Sequence, residues 1–270
     1  MKNKQAPLAI PYIIWMAIFV VAPIIMVVIY AFSSAAGGFT LENFSSIGDY
    51  AVIFGRSFKL AFIATVICLL IGYPLAYLIS RMRYGFQKLM LMLVMLPMWM
   101  NFLIRTYSWM ALLEDTGIIN TFLGFFGIGP VHMINTAGAV ILGMVYNYLP
   151  YMIIPIHSVL SKVDVRLLEA AADLGSNPFT VITKVVFPLS IPGIISGITM
   201  VFVPSISTFY ISQKLGGGNF DLIGDTIERQ FQTAYNYNLG ASMSFVLMLL
   251  IIISMTIMNK YADDDGGVII

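Results

Sequence analysis

Long apolar stretches alternate with short polar ones along this chain, and six of the apolar stretches, residues 10–32, 58–80, 89–112, 137–157, 187–211 and 240–258, approach the length of a membrane crossing. A spanning helix takes about 20 residues, because each adds about 1.5 Å across an apolar layer roughly 30 Å thick. The pattern predicts an all-α integral membrane protein with six transmembrane helices, read as one domain over residues 1–270. The connections are too short to hold a soluble catalytic domain.

One connection, residues 161–186, is patterned rather than merely polar. Asp164 can N-cap a short helix and Gly175 can end it, since glycine takes the left-handed conformation past the last turn without steric cost. That predicts a helix over 165–174. Arg166, Glu169 and Asp173 share one stripe by three- and four-residue spacing, while Leu167, Ala170, Ala171 and Leu174 lie together on the other side. The alanines let another surface come close. Asn177 can cap a second helix with Pro178 at its first position, and Pro188 interrupts the chain near the next span.

Composition agrees with the membrane reading: the chain is 59% hydrophobic and 10% charged, with a mean hydropathy of +0.90. The first span follows no small-residue cleavage pattern and is expected to be retained. With alternating spans, Lys2, Lys4, Arg81, Arg83, Lys88, Lys162, Arg166, Lys184 and Lys260 all fall on one side. The positive-inside rule makes that side cytoplasmic, so both termini and the 161–186 segment face the cytoplasm.

Several chemistries find no machinery here. Cys68 is the single cysteine and reads as an apolar filler of the second span. His132 and His157 stand alone, without metal-ligand spacing. No phosphate-cradling Gly-x-x-x-x-Gly-Lys-Ser/Thr is present, so any nucleotide energy must come from another polypeptide. Gly216-Gly217-Gly218 reads either as a flexible turn or as a loop yielding to an external partner. The acidic stretch Asp263-Asp264-Asp265 reads as a solvated, irregular end.

Polarity inside the spans is concentrated in three places. Pro97 interrupts the backbone ladder of the third span, and Trp99, Asn101, Arg105 and Thr106 follow it, where a buried charge is costly and usually faces a protein interior or a watery path. Arg105 either anchors at the outer interface beside Tyr107 and Trp109 or acts structurally or as a gate on a path. Tyr146, Asn147, Tyr148 and Pro150 form a second cluster, and the residues from Pro204 to Ser212, with Phe209 and Tyr210, a third. Together the three helices can line a cavity whose aromatic faces suit an ammonium group. The outer acidic residues Glu114, Asp115, Asp221, Asp225 and Glu228 would concentrate a polycation there, partly offset by Lys214 and Arg229.

Glu169-Ala170-Ala171, three residues, Gly175, nine residues, then Val185, Phe187 and Pro188 resemble the EAA loop of ABC importer membrane subunits. That resemblance implies that the short helix is a cytoplasmic coupling helix seated in a groove of an ATPase, with Glu169, Ala170, Ala171, Asp173 and Gly175 as coupling residues. A more specific likeness runs from about residue 61 to residue 242. It is carried by Leu96-Pro97-Met98-Trp99, Asn101, Leu103-Ile104-Arg105, Tyr107, Leu142-Gly143-Met144-Val145-Tyr146, Leu149-Pro150, Phe209-Tyr210-Ile211-Ser212, Gly216-Gly217 and Leu222-Ile223-Gly224. These residues resemble the binding-protein-dependent permeases of spermidine/putrescine importers of the PotB type.

The resemblance implies the type I ABC importer permease fold and half of a polyamine path in a bacterial inner membrane. It implies a second permease subunit, an ATPase dimer that uses ATP and Mg, and an external polyamine-binding protein. It implies no cofactor on this chain, Trp99, Asn101, Arg105, Tyr146, Phe209 and Tyr210 as path or gate candidates, lipid as surroundings and no nucleic acid. The residues themselves leave open a permease for iron, sulfate or molybdate, or an ion-driven transporter. An anion path calls for more inward basic residues than Arg105, and ion coupling for intramembrane carboxylates, which the six spans lack.

Overall fold

The computed structural model describes residues 10–34, 37–218 and 220–266. Lys2 and Lys4, counted above among the inward-facing cations, lie outside the described residues. Regular structure among the described residues is helical, apart from one bridge between Ser33 and Phe39. The first stretch is α1 (Ile10–Met16), a π-helical turn (Ala17–Val21) and α2 (Ala22–Ala31). Then come α3 (Glu42–Ser45), a 3-10 turn (Ser46–Tyr50), α4 (Ala51–Ser80), α5 (Tyr84–Trp99), α6 (Phe102–Leu113), α7 (Ile118–Gly124) and α8 (Ala137–Leu160). The rest is α9 (Val165–Asp173), α10 (Pro178–Val181), a second π-helical turn (Ile182–Val186), α11 (Phe187–Ser207), α12 (Tyr210–Leu215), α13 (Ile223–Gln232) and α14 (Tyr237–Gly266).

Among the described residues five helical stretches are long and apolar enough to cross a membrane: Ile10–Ala31, Glu42–Ser80, Ala137–Leu160, Pro178–Ser207 and Tyr237–Met258. A bent pair, Tyr84–Trp99 with Phe102–Gly124, makes a sixth if taken as one span. The interruption expected at Pro97 within the span 89–112 is a full break, because the chain turns by 88° between the two helices. Pro97 withdraws a donor from the last turn of α5, Met100 goes extended at ψ 148°, and the Asn101 side chain accepts from Leu103 N at 2.8 Å to open α6. The expected span 187–211 likewise stops at Ser207, where Thr208 goes extended at ψ 140° and α12 begins anew.

Pro188 does not interrupt the chain. The π-helical turn just before it, in which Phe187 N–H reaches back to Ile182 O, widens the ladder so that the proline ring fits and α10 runs into α11 without a break. The same device precedes Pro23, where Ala22 N–H donates to Ala17 O. At the other end, α14 continues to Gly266, so the backbone of the Asp263-Asp264-Asp265 stretch is helical rather than irregular.

The chain divides into two compact units, one with the residues up to Val52 and Thr226–Ile252, the other with Ile53–Asp225 and the residues from Ile253 on. In the first unit two asparagines satisfy carbonyls that helix ends leave open. Asn43 Nδ2 donates to Ala31 O and Ser33 O at 3.1 and 3.0 Å, and Asn238 Nδ2 donates to Tyr30 O at 3.2 Å and to Ser33 O. Phe32 packs on Phe44 and Phe245 beside them.

The second unit is organised around α8, whose Met144, Met152, Ile153, Ile156 and Leu160 are fully buried. Small residues let neighbours approach it. Gly193 and Gly197, four apart on α11, meet Ile156 and Met152; Gly72 of α4 meets Met152 and Ile153; Gly143 of α8 itself receives Leu215 and Ile211 of α12. Cys68 sits fully buried in this interface with its thiol 3.8 Å from Val145 O, the filler role expected of it.

Candidate functional site

Two regions of the second unit hold the residues singled out in the sequence. The first is α9. Asp164 Oδ1 accepts from Arg166 N at 2.9 Å at its start. At its end Gly175 takes φ +81° and Ser176 N donates to Ala171 O at 3.2 Å, the six-to-one bond of a Schellman cap. Asn177 Oδ1 then accepts from Thr180 N at 2.7 Å, with Pro178 in the first turn of α10. The apolar stripe divides in two. Leu168 and Ala171 are half-buried against the core, whereas Leu167, Ala170 and Leu174 face outward with Glu169 and Asp173 alongside. Leu174 is 87% exposed and Phe179, the second residue of α10, 75% exposed.

The second region lies where α6 begins and α11 ends. A cavity of about 350 Å³ opens between Phe102 and Leu103 of α6, Tyr148 of α8, Pro204, Ser207 and Thr208 at the end of α11, and Phe209 and Tyr210 at the start of α12. The Tyr148 hydroxyl donates to Pro204 O at 3.4 Å, tying α8 to the last turn of α11. The second and third polar clusters of the sequence therefore meet at one cavity, closed on the side of the first by Phe102 and Leu103, and half of its lining residues are aromatic. Gly224 packs under the break, since a Cβ there would lie 2.6 Å from both Ser207 O and Thr208 O.

Of the path candidates, Phe209 and Tyr210 line this cavity. Asn101 caps the helix that carries Phe102. Arg105 is 8% exposed, with its guanidinium 5.8 Å from the Phe102 ring centre, so it is buried behind the cavity wall rather than anchored at an exposed interface. Its Nε and Nη1 have no hydrogen-bond partner among the described residues. Trp99, at the end of α5, is 71% exposed and does not line the cavity. Tyr146 also stays apart, edge-on to Trp109 at 5.3 Å. Phe102 and Leu103 were not among the path candidates, Leu103 being named only within the resemblance; their local signal is that they directly follow a capping asparagine.

The acidic loops are less uniform than their sequence implies. Asp115 holds His132, Nδ1 to Oδ1 at 3.0 Å, so that histidine is not isolated. Asp225 is buried at 3% exposure and accepts from Leu222 N at 2.8 Å, while Ser57 Oγ accepts from Ile223 N at 2.7 Å. Asp225 is thus a helix-capping group rather than a solvated charge. In the glycine run Gly217 has φ +60° and any side chain on it would strike Asn135, whereas Gly218, at φ +74°, has open space around it. Asn135 N in turn donates to Leu215 O at 2.9 Å.

Comparison with known proteins places this geometry. Residues 72–265 match the model of the family described as binding-protein-dependent transport system inner membrane component. The chain is 39% identical over 265 residues to the spermidine/putrescine transport system permease protein PotB of Haemophilus influenzae, covering 93% of each chain. It is 35% identical over 246 residues to the protein of the same name from Escherichia coli, covering 87% of this chain and 90% of that one. Among solved structures it is similar to a bacterial ABC transporter involved in alginate import, with a TM-score of 0.77, 18% identity, and coverage of 96% of this chain and 94% of that one. It also resembles the MetNI methionine ABC transporter in inward-facing form, with a TM-score of 0.58, 16% identity, and coverage of 78% and 93%.

Proposed function

The chain belongs to the binding-protein-dependent transport system inner membrane component family and has the fold of the type I ABC importer permeases, and from that premise we propose that it is the permease subunit of an ATP-driven importer of spermidine and putrescine. The observation that carries the substrate class is the 39% identity, along 93% of both chains, to a permease named for those two polyamines.

In this reading α9 is the coupling helix. Its exposed Leu167, with Leu174 just past its end and Phe179 on α10, enters a groove of a cytoplasmic ATPase, and Glu169 and Asp173 pair with that surface. The Schellman cap at Gly175 fixes the angle at which α9 meets α10. From there one uninterrupted helix, Pro178–Ser207, leads to the cavity wall. Thirty helical residues reach about 45 Å at 1.5 Å per residue. A displacement of α9 is thus delivered to Pro204, Ser207 and Thr208 by a single rod bearing on α8 through Gly193 and Gly197. Aromatic walls attract an ammonium through their ring faces, and the outer Glu114 and Asp115 raise its local concentration.

ATP hydrolysis, with its Mg, belongs to a separate ATPase dimer; a second permease subunit completes the path and an external binding protein delivers the polyamine. Both termini face the cytoplasm of a bacterial inner membrane, with α9 on the same side. The test is genetic and chemical. Cells lacking this chain should lose uptake of labelled spermidine and regain it only when the chain and its ATPase are expressed together. Restored uptake of some other solute, with polyamine uptake unaffected by the deletion, would refute the substrate assignment.

A further inference from the structure

Beside the cavity, Lys214 of α12 stands against two tyrosines, Tyr107 of α6 and Tyr210 of α12. The Lys214 ammonium of α12 lies 5.5 Å from the Tyr107 ring centre and 5.8 Å from that of Tyr210. The two rings meet edge-to-face at 86°, centroids 6.4 Å apart, and so form a corner with the ammonium between its walls. Both distances fall within the roughly 6 Å over which a cation is held by an aromatic face. Tyr210 also lines the cavity, and its ring lies 5.7 Å from that of Phe102, a second lining residue. The corner therefore adjoins the cavity, whose volume of about 350 Å³ falls in the roughly 300–1,000 Å³ range of small-molecule sites.

The chemistry of the occupant is informative. A lysine side chain is a four-carbon chain ending in a primary ammonium, the same unit that ends an aminobutyl polyamine. Lys214 thus presents to the tyrosine corner a tethered copy of one end of such a substrate. We infer that Tyr107 and Tyr210 form a binding subsite for a substrate alkylammonium, and that Lys214 occupies this subsite until the substrate displaces it. The inference rests on the polyamine reading above and adds the position at which one ammonium is held. Self-occupancy has two consequences. It keeps the aromatic corner filled when no substrate is present, and it sets a competing cation next to the bound one, which weakens retention and favours release. A transported molecule must be held weakly enough to leave.

The test uses the assembled transporter in lipid nanodiscs, with 3-fluorotyrosine placed at position 210 and spermidine added as the probe. The fluorine resonance should shift saturably with spermidine and not with a neutral diol of similar length. Lys214→Met should lower the half-saturating spermidine concentration about three- to tenfold, the range a cation–π competitor of this kind commands. Tyr107→Leu should raise it by a similar factor, and Tyr107→Phe, which keeps the ring face, should restore the wild-type value. Unchanged half-saturation in both Lys214→Met and Tyr107→Leu would overturn the subsite. Vesicle uptake separates the two readings. Polyamine uptake without a fluorine response removes the subsite and leaves the transport function, whereas a saturable fluorine response in an assembly that moves no polyamine leaves the subsite and removes the transport function.

Discussion

Gly197 of α11 lies so close to Met152 of α8 that a Cβ on the glycine would sit 2.7 Å from the methionine sulfur and 3.2 Å from its carbonyl oxygen. Between helices in a membrane there is no difference in water exposure to drive association, so close packing of small residues carries much of the attraction. Gly193, one turn earlier on the same face, meets Pro155 O at 2.9 Å and Ile156 Cα at 3.1 Å in the same hypothetical way.

Gly197→Ala should therefore destabilise the second unit by overpacking, by about 1–3 kcal/mol. Gly138→Ala is the control, because its nearest neighbour is the Thr136 hydroxyl at 3.6 Å and alanine is the better helix former by up to about 1 kcal/mol. Thermal unfolding in detergent should show a lower midpoint for the first and an unchanged or higher one for the second. Equal midpoints would mean that the α8–α11 contact does not limit stability.

The caps of α9 should set its rigidity. Asp164→Ala removes an acceptor worth about 0.5–2 kcal/mol, and Gly175→Ala forces a side chain into the left-handed region at a cost of about 1–2 kcal/mol. Since about 1.4 kcal/mol is a factor of ten, amide hydrogen exchange across residues 165–174 should quicken roughly three- to tenfold in each variant. Unaltered exchange would show that the helix is held by Leu168 and Ala171 packing on the core instead.

Asn101 should matter through its cap on α6, not through contact with substrate. Asn101→Ala should lower polyamine uptake severalfold by loosening the start of the helix that carries Phe102, and Asn101→Ser, which can still accept from Leu103 N, should recover most of it. Equal loss in both variants would assign the asparagine a direct role in the path.

What could be read in the sequence follows from how local each signal is. The helix Val165–Asp173 was legible because its cap, its periodicity and its terminal glycine all lie within a dozen residues. The interruption at Pro97 was legible too, but not the size of the turn it makes, because the apolar run continues on both sides and only the Asn101 side chain turning back to Leu103 N marks where α6 starts afresh. Pro188 misled in the opposite sense, because a widened turn at Ile182–Val186 absorbs a proline that sequence rules treat as a breaker. Asp225 looked like a loop carboxylate, yet Leu222 N donates to it in a buried corner. The Tyr107–Lys214 contact joins α6 to α12 across more than a hundred residues, so no local pattern could announce it. The polar clusters were identifiable one by one, while the cavity between Tyr148 and the residues from Pro204 to Tyr210 depends on where α6 begins and α11 ends.

The central claim is that this chain moves polyamines by transmitting ATPase motion through α9. The most direct measurement is ATP-dependent uptake of radiolabelled spermidine and putrescine into vesicles holding this chain with its partner subunits, in wild type and in Glu169→Lys. Glu169 is exposed on α9 beside the outward apolar stripe, so charge reversal should leave the chain folded and inserted. The account predicts robust uptake in wild type and a loss of at least about tenfold, equivalent to about 1.4 kcal/mol of coupling, in the variant, with ATP hydrolysis no longer responding to polyamine. Wild-type uptake by the Glu169→Lys assembly, or no polyamine uptake by an intact assembly that hydrolyses ATP, would contradict it.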